Sequence, residues 1–165
     1  MSAARLIAAL LAVCGSALFG AVSNSRAEER IKNTDRLVSD VDEMYSLLRI
    51  DRMPLHEIAS RLSEKGELPA LWANVKAEME AGASLKEALN DIKLPGPGSA
   101  AARFAGYLTD GFPAGDAETE SARIGYALEK LKAYRESAIN EQKEKGRLTS
   151  SLSLMLGLAA AILIL

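Results

Sequence analysis

The last eighteen residues, Leu148 to Leu165, constrain this chain most, because they carry no charge and are dominated by leucine and isoleucine. Their polar members, Thr149, Ser150, Ser151 and Ser153, gather at the end next to the charged region. As a helix the run would reach about 27 Å at 1.5 Å per residue, enough for a thin or slightly compressed hydrocarbon core. Its nine Leu and Ile residues favour insertion by about −0.5 kcal/mol each, and no central charge opposes them at about +3 kcal/mol. A soluble fold would have to bury such a helix on every side. The run is expected to be a membrane span over 148–165.

A second uncharged run, Leu6 to Val22, follows Arg5 and precedes Ser23-Asn24-Ser25-Arg26-Ala27. A cleaved signal peptide would have this basic start, apolar core and small-residue end. The run is long for a signal core, however, and a charged helical pattern resumes directly after it, so an uncleaved span over 1–22 is the favoured expectation. A lipoprotein site at Cys14 is disfavoured, because Val13 stands where a small residue is needed. Arg26, Arg30, Lys32 and Arg36 follow the first run, and Lys143, Lys145 and Arg147 precede the second. Lys and Arg mark the cytoplasmic side, so the middle of the chain, 23–147, is expected in the cytoplasm of a two-span, multi-pass membrane protein. Small residues recur four apart in each run: Ala8, Ala12, Ser16 and Gly20, then Thr149, Ser153, Gly157 and Ala161. Such stripes let helices approach closely in lipid, which makes Ala12, Ser16, Gly20, Ser153, Gly157 and Ala161 candidates for helix packing, against chance in alanine-rich sequence.

The intervening segment has the size of one domain. Its periodicity predicts helices throughout. Ile31, Leu37, Val38, Val41, Met44, Tyr45 and Leu48 form a stripe over 27–50. Pro54 suits the first turn of a second helix with Leu55, Ile58, Ala59 and Leu62, closed by Gly66. Pro69 opens a third with Leu71, Trp72, Val75 and Met79, ending at Gly82. Ser84 and Glu87 form a capping box for a fourth, which carries Leu85, Ala88, Leu89 and Ile92. Leu94-Pro95-Gly96-Pro97-Gly98 reads as a break, with a fifth helix over Ser99 to Thr109. A loop from Asp110 precedes the last helix, which starts near Asp116 and carries Ile124, Leu128, Leu131, Tyr134 and Ala138. Glu141 and Lys145 can pair there, and Gly146 is a possible break before the terminal run. The expected fold class is all-α, a six-helix cytoplasmic bundle flanked by two transmembrane helices.

Chemistry-bearing residues are sparse. One cysteine excludes an intramolecular disulfide, and one histidine, His56, leaves little for metal or acid–base work. A net charge of −2 gives no electrostatic case for nucleic acid. No phosphate-binding glycine motif is present, since Gly96 to Gly98 lacks the required lysine. No catalytic constellation, cofactor, metal or small-molecule substrate is expected, and the chain is read as a non-enzyme. Candidate partner-binding positions are Glu57 and Glu87 at two helix openings, and the cluster Asp116, Glu118 and Glu120. The bland reading of that cluster is favourable charge at a helix N-terminus.

Two sequence echoes carry a family resemblance. Pro54-Leu55-His56-Glu57-Ile58 and Ser84-Leu85-Lys86-Glu87-Ala88 share one pattern thirty positions apart. Gly82 to Leu89 resembles the Gly-x-Ser-Leu-x-x-Ala-Leu pattern of the type II secretion F domain. Chain length, a run at each end, the Pro-Leu-x-Glu opening and Lys143-Glu144-Lys145-Gly146-Arg147 more closely resemble the stage III sporulation protein AB family. The resemblance implies a scaffold of the AA–AH assembly of endospore-forming bacteria, at the channel linking mother cell and forespore. Implied partners are the lipid bilayer of the mother-cell or outer forespore membrane, an AA-type ATPase and other stage III membrane proteins. An F-domain platform of a secretion or pilus machine, and an exported, membrane-anchored helical binding protein, are the alternatives. The broken loops at Pro95 to Gly98 and Gly111 to Gly115, and the alanine-rich first run, depart from the family pattern.

Overall fold

The computed structural model describes residues 28–92, 97–108 and 117–164, with the side chains of 97, 98, 117, 146–154 and 156–164 left out of the description. These residues form six helices: α1 over 28–50, α2 Leu55–Lys65, α3 Pro69–Glu80, α4 Leu85–Asn90, α5 Pro97–Tyr107 and α6 Ala117–Ile164. No strand occurs among them. The all-α expectation holds, in the expected order. Two compact units divide the chain; the bundle is Arg30–Glu136, and the described part of the other is residues 28–29 and 137–164.

The helical stripes become the core of the bundle. Leu37, Val41, Met44 and Leu48 of α1 are buried with Ile58, Ala59 and Leu62 of α2 and Leu71, Trp72 and Val75 of α3. Leu85, Ala88 and Leu89 of α4 join them, as do Ala101, Phe104 and Ala105 of α5 and Ile124, Ala127, Leu128 and Leu131 of α6. Each buried Leu or Ile is worth about 1.5–3 kcal/mol, so apolar burial dominates the surface ion pairs at under about 1 kcal/mol each. Consecutive helices α2, α3, α4 and α5 pack in chain order. α1 and α6 run antiparallel: Asp35 meets Arg135 at 2.7 Å, Asp42 meets Lys132 at 3.0 Å, and the Tyr45 ring lies against Gly125. The bundle's chain ends, Arg30 and Glu136, therefore emerge at the same end. Arg103 of α5 stacks over the Tyr134 ring of α6 at 4.2 Å.

The boundaries show where local signals lose. Pro97 and Gly98 lie inside α5 rather than in the break before it, because proline costs nothing at a first turn whose N–H groups have no helical acceptor. α4 ends at Asn90, and Ile92 packs against the core from beyond it. Gly146 does not interrupt α6. Gly82 ends α3 with φ at +99°, the left-handed conformation expected of such a stop. Gly66 follows α2 for a different reason. Its φ is −70°, but a Cβ there would sit 2.6 Å from the Leu62 carbonyl oxygen and 3.1 Å from Asp40 Oδ1. The capping box forms as expected, with Glu87 N–H donating to Ser84 Oγ and Ser84 N–H donating to Glu87 Oε2.

Among the described residues no helix is long and apolar enough to cross a membrane. The run over 1–22 lies outside the described residues. The run over 148–165 has helical backbone to Ile164, and its one described side chain, Met155, is 70% exposed.

Candidate functional site

The acidic positions singled out from sequence do not converge. Glu57 is exposed in the first turn of α2, with His56 4.0 Å away and equally exposed, which makes that histidine a surface residue. Glu87 is exposed but occupied by the capping box, and the two hydrogen bonds from Ser84 hold its carboxyl below the usual value. Glu120 is half-buried and accepts from Arg123 at 3.3 Å. Glu118 is exposed, and Asp116 lies outside the described residues. Ser153, Gly157 and Ala161 lie on helical backbone in α6 with no described side chain, while Ala12, Ser16 and Gly20 lie outside the described residues.

Two of these acids line concavities: Glu57 one along α2, and Glu118 one between the end of α1 and the start of α6. The second, a groove of about 570 Å³, is lined by Tyr45, Leu48 and Arg49 from the end of α1, by Arg52 just beyond it, and by Glu118, Ser121 and Ala122 from the first turns of α6. Tyr45 Oη accepts from Arg49 at 3.0 Å, and the guanidinium carbon lies 5.8 Å from the ring centre. Arg52 is exposed and has φ at +51°, a left-handed value that non-glycine residues seldom adopt. Sequence reasoning missed both arginines, because their neighbours in the groove, Glu118, Ser121 and Ala122, lie about seventy residues further along the chain. The groove can bind and orient a charged group. Among the described residues no cluster of three or more His, Cys, Asp or Glu could hold a metal ion.

A second polar feature escaped the sequence reading altogether. Asp40 faces inward from α1, only 2% exposed. Its Oδ1 accepts the Glu67 N–H at 2.7 Å, and its Oδ2 accepts the Leu68 N–H at 3.0 Å and the Trp72 indole N–H at 2.7 Å. Burial pushes the carboxyl above its ordinary value, and the three donors pull it back without cancelling that rise. Trp72 is core as expected, and its indole N–H is what fastens α3 to α1. A buried carboxylate with this many donors is an architectural clamp rather than a site. A helical wheel places Asp40 between Met44 and Leu47, both buried, the one visible hint of its direction.

Residues 108–165 match the sequence model of the family described as Stage III sporulation protein AB. No curated protein and no solved structure matches the chain.

Proposed function

We propose that this chain belongs to the stage III sporulation protein AB family, whose model its residues 108–165 match, and is a membrane-anchored helical scaffold rather than a catalyst. The family match supports a role in stage III sporulation. The finer reading is that the bundle receives a cytoplasmic AA-type ATPase while residues 1–22 and 148–165 span the membrane and meet its other stage III membrane proteins.

One observation carries the anchored reading: helical backbone persists to Ile164 across a run without a single charge, and Met155 within it is exposed. An uncharged helix with nine Leu and Ile residues gains about 4 kcal/mol from insertion on a translocon scale. Lys143, Lys145 and Arg147 form a basic collar that keeps the bundle on the cytoplasmic side. The stripes of small residues, four apart in each run, would supply packing surfaces for these spans.

Alkaline extraction of membranes tests the anchor, and N-terminal sequencing of the extracted protein tests the first span. Recovery in the soluble wash would sink the anchored reading, and a mature start near Glu28 would sink the two-span topology. Co-purification with an AA-type ATPase from detergent extracts tests the scaffold role.

A further inference from the structure

We infer that the groove between the end of α1 and the start of α6 is a docking site for a carboxylate-rich segment of a partner protein. In two other concavities among the described residues the charges are spent locally. Beside α6, Asp42 and Lys132 neutralise one another at 3.0 Å and Asp35 is taken by Arg135. Along α2, Glu57, Arg61, Glu64 and Lys65 alternate in sign, and Arg61 reaches Glu43 at 3.4 Å. In the α1–α6 groove two guanidinium groups face one carboxylate, Glu118. Asp51, between the arginines in sequence, does not line it.

Both arginines are exposed, and each carries a second feature. Arg49 is held by the Tyr45 hydroxyl and ring, so little of its side-chain freedom remains to be lost on binding. Arg52 occupies a left-handed position where glycine would be strain-free, and strain retained at a binding position is a mark of use. A planar, forked donor suits a carboxylate. The choice of a protein over a lipid rests on the anchored reading above. The groove lies at the end of the bundle opposite Arg30 and Glu136, about 30 Å along α1, where the chain does not lead to the proposed spans.

The test uses the full chain in detergent micelles and a fluorescein-labelled helical peptide with Glu on one face, read by anisotropy. Its Gln counterpart is the control. The Glu peptide should bind, and Arg49→Glu with Arg52→Glu should weaken it about tenfold or more, whereas Arg36→Glu with Lys65→Glu, an equal change of charge elsewhere, should cost about twofold or less. Arg52→Gly separates binding from folding, because it removes the guanidinium while relieving the backbone; it should weaken the peptide without lowering the thermal midpoint. Equal losses from the two reversal pairs, or no binding of the Glu peptide, would overturn the proposal. So would a loss confined to phosphatidylglycerol vesicles, which would make the groove a lipid site. Membrane extraction reads the anchored reading separately, so a lost isotherm with an extraction-resistant chain refutes the groove alone.

Discussion

Asp40 offers the most stringent test of how this bundle is held together. In Asp40→Ala the Leu68 N–H and the Trp72 indole N–H lose their acceptor while buried, and the half-buried Glu67 N–H loses one too. An orphaned buried donor costs about 1–3 kcal/mol. Two such donors, less the relief of no longer burying a charge, give a loss of about 3 kcal/mol, a large part of the 5–15 kcal/mol typical of a domain. Asp40→Asn should lose only about 1 kcal/mol: its carbonyl oxygen can keep Leu68 and Trp72, while its amide confronts the Glu67 N–H. Urea unfolding in micelles reads both, with the fluorescence of Trp72, the sole tryptophan, reporting at the bond itself. The dependence on pH has a definite sign. Burial raises the folded carboxyl above its ordinary value of 3.8, so the contribution of Asp40 is fully present below that value and is lost as pH rises through the folded pKa. The advantage of the native chain over Asp40→Asn should therefore shrink from acid towards neutral pH. An alanine loss under about 1 kcal/mol, or an advantage that grows with pH, refutes the clamp as described.

Other expectations follow from single contacts. Gly66→Ala should destabilise by about 1–3 kcal/mol in the same unfolding assay, because backbone and a clamped carboxylate occupy the Cβ position; an unchanged midpoint would show that the turn yields. Gly82→Ala should cost about 1 kcal/mol for the left-handed backbone alone, with open space around the added methyl. Ser84→Ala should lower stability by about 1 kcal/mol through the lost cap, and should return the Glu87 carboxyl towards its ordinary value in an NMR titration. Leu158→Arg should set about 3 kcal/mol against insertion and move the chain towards the soluble fraction on alkaline extraction.

The helices were legible because their stripes obey one period and because Ser84 with Glu87, and Pro69, are local signals satisfied by local geometry. Trp72, Val75 and Leu89 are buried where their spacing put them. Asp40 was not legible, because it sits in Asp40-Val41-Asp42-Glu43 among acids that stay in water, and its donors lie 27 to 32 residues away. Gly66 illustrates the same limit: its position as a stop was readable, but the carbonyl and carboxylate that crowd it come from the packed bundle. The arginines of the groove were missed for the converse reason. Residues at the end of α1 meet the start of α6 only once the chain has closed, so no local spacing joins Glu118 to Arg49 and Arg52.

The antiparallel pairing of α1 with α6 also fixes an order of events. Asp35 and Arg135 are separated by a hundred residues, whereas α2 through α5 pack on neighbours in the chain. Local contacts can form as soon as their residues exist, while closing so long a loop must await both ends. During synthesis at about 5–20 residues per second, α1 leaves the ribosome several seconds before α6 exists. For that interval the core lacks Ile124, Ala127, Leu128 and Leu131, and the apolar positions they complete stand uncovered. The bundle is thus sealed by its last helix, the one that continues into the terminal apolar run, so completion of the fold and delivery of that run fall at the same moment in the life of the chain.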